Sequence, residues 1–193
     1  NGVLVITIRK IKEFFMSIRV SMMATYVAAI LISLILLSVY ILGALTDSLY
    51  NTERVNLYTK ANIISDLIKT PDGITPETSA GIKQILSGSN MRSIVVRPDY
   101  RVCLDTNADS DVMGKVIVRE AVIKCMQAGE QAHAINKSNS DMTTMSVAVP
   151  LIDGGKTVGA VYLVESLYDI DMTISGIRND LIVFGIIISI LVA

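Results

Sequence analysis

The chain has 193 residues, of which 51% are hydrophobic, 5% aromatic and none tryptophan, and its net charge is −1. That balance, with no basic patch anywhere along the sequence, excludes a nucleic-acid binder. Two apolar runs inflate the hydrophobic share, and the polar middle between them, about 135 residues, has the size of one globular domain with a real core.

The first run, Val20 to Leu45, carries no charged residue. Its 26 residues exceed the roughly 20 that cross a bilayer as a helix. A cleaved signal peptide fits less well, because its apolar core spans only about 7–15 residues before an A-x-A-like site. Leu42-Gly43-Ala44-Leu45 matches such a site poorly. Arg9, Lys10, Lys12 and Arg19 precede the run against the single acid Glu13. Basic residues beside a span stay in the cytoplasm, so residues 1–19 read as a cytoplasmic tail, 20–45 as a first transmembrane helix, and the acid-rich stretch 46–180 as extracytoplasmic. A second apolar run starts at Leu181 and is cut by the end of the sequence at Ala193. Residues 181–193 are expected to begin a second, truncated transmembrane helix in a larger two-pass protein of the cell membrane, with lipid as a partner.

Between the runs the periodicity switches repeatedly. From Thr46 to Lys69 an apolar stripe of Tyr50, Leu57, Ala61, Ile64 and Ile68 predicts a helix continuous with the first span. This stripe is expected to pair two copies into a homodimer. Thr70-Pro71-Asp72-Gly73 ends that helix. Thr75 then supplies an N-cap, Pro76 the first helical position and Glu77 a first-turn acid for a short helix closing at Gly88. Strands are predicted over Arg92–Arg97 and Arg101–Thr106, joined by Pro98-Asp99. A polar loop leads to a helix marked by Ile117, Ala121, Cys125 and Ala128 and stopped by Gly129. Three more strands come next: Gln131–Lys137, Met142–Pro150 and Thr157–Ser166. The last helix carries Leu167, Ile170, Ile174, Ile177 and Leu181 at coiled-coil-like spacing. Strands joined by hairpin-length turns, with helices apart from them, imply an α+β fold around a five-stranded antiparallel sheet.

Two stretches of this pattern carry a resemblance. Val95-Val96-Arg97-Pro98-Asp99-Tyr100-Arg101-Val102-Cys103-Leu104-Asp105-Thr106, with Gly114 in the loop beyond, resembles the first hairpin of extracytoplasmic PAS-like (single Cache) domains. The run from Val147 to Ser166 is similar to their last hairpin. Where that family often has glycine, this sequence has Tyr100. With the flanking spans, the chain is similar to the N-terminal half of Gram-positive cell-wall-regulating sensor histidine kinases of the WalK type and their PhoR-type relatives. The resemblance implies a sensory and transmembrane-signalling role, with no catalytic residue and no cofactor within this stretch. It places ATP and Mg in a kinase region beyond it, and a cognate response regulator as that region's partner. His133 falls on the extracytoplasmic side and cannot be a phospho-acceptor. Alternatives are the sensor portion of a methyl-accepting chemoreceptor and a membrane-anchored envelope protein without an output domain.

Site candidates are few. Arg92, Arg97 and Arg101 fit an anion-binding pocket over the sheet, or else the solvent face of a half-exposed sheet. Asp105, Asp109 and Asp111 offer carboxylates for a hard cation, though without the D-x-D-x-D-G pattern of an EF-hand, and read equally as a solvated turn. Cys103 and Cys125 lie where a disulfide is chemically permitted, or serve as two small buried hydrophobes. The lone His133 lacks neighbours for a zinc site.

Overall fold

The computed structural model describes residues 18–107, 111–137 and 143–192. The chain divides into two compact units. One comprises residues up to Thr46 together with Thr173 onward, and the other is the domain Asp47–Met172.

In the first unit, helix α1 (Ile18–Ile68) starts in the long apolar run. Among the described residues one helix, Ser21–Ile68, is long and apolar enough to cross a membrane. Its side chains from Met22 to Ile41 are largely exposed, as a lipid-facing surface requires. The second apolar run lies in the closing helix α4 (Tyr168–Val192), which does not meet that criterion over its described residues.

The domain is built on five antiparallel strands: β1 (Arg92–Val96), β2 (Val102–Asp105), β3 (Ala132–Lys137), β4 (Thr143–Asp153) and β5 (Lys156–Ser166). Their spatial order is β2-β1-β5-β4-β3. After the β1–β2 hairpin the chain crosses by helix α3 (Glu120–Ala128) to the far edge, and the β3-β4-β5 meander returns it to β1. All five predicted strands are present. β4 overruns its expected end at Pro150 by three residues. The reason is local: β3 pairs no further than Ala148, so the outer side of Pro150 needs no ladder partner there. Its carbonyl accepts the Ser65 hydroxyl of α1 at 3.2 Å instead.

Strand alternation gives the sheet two buried faces. On one, α1 lays down Leu57, Ala61, Ile64 and Ile68, all 3% exposed or less, against Val95, Met145, Val147, Leu163 and Leu167. A short helix α2 (Pro76–Ile85) closes this side through Ile82 and Leu86. The α2 N-terminus is the predicted one: Thr75 Oγ1 accepts the Thr78 N–H, and Thr78 Oγ1 accepts the Thr75 N–H. The second face packs Ala121, Val122 and Cys125 of α3 on Ile94, Val96, Ala148, Ala160 and Tyr162. α3 ends where expected, with Gly129 left-handed at φ +67° and its N–H on the Cys125 carbonyl.

One expectation needs correction. The stripe Leu57, Ala61, Ile64, Ile68 is spent on the domain's own sheet, where all four are buried. That stripe is therefore not open to a second copy. Of the two readings of Cys103 and Cys125, the arrangement matches the small hydrophobes: both are free thiols, Cys125 buried and Cys103 partly so. A bulge opposite Val95/Val96 turns Val102 to the α3 face while Cys103 and Leu104 go to the α1 face. Cys125 lies in the α3-side core, so the sheet stands between the two sulfurs. Burial pushes the Cys103 thiol up and that of Cys125 to about 12, keeping both protonated.

The tightest backbone approach is at Gly159 in β5. A Cβ there would meet the Val96 carbonyl oxygen at 2.6 Å and Pro71 Cγ at 2.7 Å. Gly159→Ala is therefore expected to destabilise the chain by about 1–3 kcal/mol. Urea unfolding that leaves the midpoint unchanged would refute this contact.

Candidate functional site

The sequence candidates are positioned mainly by the β1–β2 hairpin. Asp105 ends β2 opposite Ile94, on the α3 face, and Arg92 lies two residues before Ile94 on β1. The Arg92 guanidinium reaches back across the hairpin in a fork, with Nε at 3.0 Å from Oδ1 and Nη2 at 2.5 Å from Oδ2 of Asp105. Asp105 also accepts the Asn107 N–H at 2.9 Å. Its side chain is 1% exposed against 32% for Arg92. The hydrogen bonds to Asp105 raise the Arg92 pKa against the opposing effect of burial.

The other two arginines have separate commitments. Arg97 faces Asp72 at 3.6 Å. Arg101 faces Asp99 at 3.4 Å and donates to the Gly114 carbonyl at 2.8 Å. Each guanidinium thus stands beside a carboxylate of its own. Of the three aspartates, Asp105 serves Arg92, Asp111 accepts from Lys115 at 2.6 Å, and Asp109 lies outside the described residues. Among the described residues no group of three metal-ligating side chains converges. Tyr100, at the usual glycine position, adopts φ +63°. Its ring packs on the α3-side core, which compensates the strain. His133, on β3, meets the Tyr58 hydroxyl at 3.3 Å, and burial together with Arg54 and Lys124 lowers its pKa.

The α1 face holds the features that the sequence analysis missed. Glu165 on β5 stands opposite Met145 of β4, which places it among core positions. Its Oε2 is fully buried without a hydrogen-bond partner among the described residues. Burial first, then the hydrogen bond and charge of Glu53 on α1, push its carboxyl up to about 8, while Lys60 pulls it down and Asp169 adds to the rise. Next to this pair, Tyr50 of α1 donates to Asp171 of α4 at 2.6 Å. Burial and that bond raise the phenol's pKa. Acidic residues at 53 and 165 are 112 positions apart. The only sequence signal was Glu165 itself, a carboxylate on the buried parity of an otherwise apolar strand.

A groove of about 470 Å3 opens beyond the end of α1, lined by Asn62, Ser65, Asp66, Lys69, Glu130 and Gln131 over Val149 and Pro150. Within it Gln131 Nε2 donates to Asn62 Oδ1 at 2.9 Å, and the Ser65 hydroxyl to the Pro150 carbonyl.

By sequence, no family model and no curated protein matches this chain. By structure, it is similar to an extracellular ligand-binding receptor from Desulfohalobium retbaense, with TM-score 0.52, 14% identity and coverage of 64% of this chain and 24% of that one. It is also similar to the ligand-binding domain of the Pseudomonas aeruginosa amino acid chemoreceptor PctC, solved with GABA. There the TM-score is 0.50 and the identity 12%, over 72% of this chain and 63% of that one. A third likeness is to the sensor domain of the Vibrio cholerae histidine kinase DctB, at TM-score 0.48, 12% identity and coverage of 72% and 57%. The chain spans about a quarter of the first receptor and less than two-thirds of the chemoreceptor domain. The shared property is the fold: an α+β domain with a five-stranded antiparallel sheet and a long N-terminal helix.

The fork across the β1–β2 hairpin yields an asymmetric expectation. Arg92→Ala removes the counter-charge of a buried carboxylate and is expected to cost about 3–5 kcal/mol. Arg101→Ala, at an exposed pair, is expected to cost under about 1 kcal/mol. Equal losses in chemical unfolding would show that Asp105 is not held by Arg92.

Proposed function

We propose that the chain is the sensory and transmembrane-signalling portion of a two-component sensor histidine kinase. Residues 20–45 and the helix beginning near Leu181 cross the cell membrane, and residues 46–180 lie outside it. The observation that carries this reading is the pairing of a sensor-domain fold with first and last helices that both continue into apolar sequence. Basic residues ahead of the first run support a cytoplasmic N-terminus. A kinase region using ATP and Mg, and its response regulator, belong to the remainder of such a protein. The likeness to a chemoreceptor domain favours one second reading, in which the output is a methyl-accepting helix. Phosphorylation of the full reading frame by ATP on histidine separates the two.

Signalling on this reading needs two arrangements of the helices that a stimulus favours unequally. α4 is suited to transmit them: Ile170, Ile174, Ile177 and Leu181 form one half-buried stripe in an unbroken helix. Each residue turns a helix by about 100°. One alanine inserted between Asp171 and Met172, just after the bond to Tyr50, rotates the downstream part of α4 by that angle, whereas seven residues nearly restore the facing. Output from the target promoter is expected to change strongly with one inserted residue and to return near its original level with seven. A flat response from one to seven would remove the rigid-helix mechanism.

A homodimer is part of this proposal, through the outer face of α1, where Val55, Ile63 and Leu67 are 55%, 48% and 41% exposed. Exposed apolar side chains spaced along one helix suit a second copy of the same helix. Cysteines at Val55 and Ile63 are expected to cross-link between copies in membranes. Cysteines at the buried Leu57 and Ala61 are not, and cross-linking there instead would move the interface.

A further inference from the structure

Glu53 lies one turn before the buried Leu57 on α1, and Glu165 stands opposite the buried Met145 on the same side of the sheet, near enough for Glu53 to hydrogen-bond it and raise its pKa. Ionised carboxylates are acceptors only, so two of them facing each other cannot both be satisfied, and Glu165 Oε2, buried without a hydrogen-bond partner among the described residues, is the result. One proton converts the contact from acceptor–acceptor to a donated hydrogen bond and removes one of two like charges. Asn56 Nδ2 already donates to Glu53 Oε1 at 3.1 Å, which holds that carboxyl in place. The surrounding charges are few. α1 presents Glu53 and Lys60, α4 presents Asp169, and the facing position of β4 is the neutral Met145. Among the described residues no group of three His, Cys, Asp or Glu side chains is arranged to hold a metal ion, so a metal is a poor occupant.

We propose that Glu53 and Glu165 form a proton-binding site, and that its occupancy sets how firmly α1 seats on the sheet, so that the domain responds to the acidity of the medium. This deepens the sensory reading by naming the stimulus, and rests on that reading for its biological meaning but not for its chemistry. With the proton bound, α1 closes over β5. As the proton leaves, two half-buried like charges oppose that closure.

Proton linkage sets the sign. Glu165 titrates higher in the folded chain than the ordinary carboxylate value of about 4.3 of the unfolded one. Its contribution to stability is complete below the unfolded value and is lost as pH rises through the folded value. Stability is therefore expected to fall with rising pH between about 4.3 and about 8.

The test uses the whole chain in lipid nanodiscs, with glutamate side-chain carboxyls labelled with 13C and followed by NMR across pH. One carboxyl is expected to titrate far above the rest. Glu165→Gln should remove that titration, Glu53→Gln should move it down, and Lys60→Met should move it up. In parallel, the thermal midpoint of the original chain should decline across the same window, while that of Glu165→Gln should lose this decline. If every glutamate titrates below about pH 6, or if the midpoints of the chain and of Glu165→Gln fall in parallel, the site is overturned. Should Glu165→Gln fail to fold, an unmoved titration in Glu53→Gln overturns it equally. None of these readouts uses kinase output, so a flat insertion series would defeat the signalling reading and leave the titration standing.

Discussion

The seat of α1 on the sheet governs most of what surrounds it. Four aliphatic side chains, Leu57, Ala61, Ile64 and Ile68, are withdrawn from water against the strands, and large ones of this kind contribute about 1.5–3 kcal/mol each. Helical spacing fixes which other residues come with them. Placing Leu57 in the core puts Glu53 one turn earlier, above Glu165, and Ser65 two turns later, within reach of the Pro150 carbonyl. It also turns Val55 and Ile63 outward. The carboxyl pair, the Ser65–Pro150 hydrogen bond and the exposed apolar face are consequences of one packing choice.

The two sides of the sheet are built differently. The side facing α3 is closed by small residues, Ala121, Ala134, Ala148 and Ala160, around Tyr162, with its ionic pair Arg92–Asp105 at the hairpin edge. There the charges are satisfied and the interaction is structural. On the α1 side the ionisable groups are less well paired, and Tyr50–Asp171 and Glu53–Glu165 join elements far apart in sequence. Burial without full pairing is costly in a merely structural position, which is why this side is the better candidate for a response to conditions.

Much of the fold was legible. Alternation revealed the five strands because each is bounded by turn residues, and Thr75, Pro76 and Gly129 marked helix ends through chemistry that acts over a few residues. What failed was the assignment of partners. The stripe on α1 announced an interface but not whether it was with a second copy or with the chain's own sheet. For the two cysteines the sequence left a bridge or two small hydrophobes open, and the β2 bulge, which no local signal marked, sends Cys103 to the face opposite Cys125. Arg92 and Asp105 were both singled out, yet for separate roles, when their cross-strand placement on one hairpin made them each other's counter-ion. The carboxyl pair depended on a contact across 112 residues, beyond any periodicity.

Gly159 carries a consequence for how this domain can change over time. Its missing side chain admits both the Val96 carbonyl and the Pro71 ring, so the turn that ends α1 is keyed into the central strand at that point. Neither partner can vary alone. A larger residue at 159 becomes acceptable only after Pro71 has been replaced by something smaller and β1 has shifted. A Pro71 replacement made first leaves a hole beside a glycine. The two positions therefore form an epistatic pair, and divergent relatives of this chain should be expected to exchange them together or keep both.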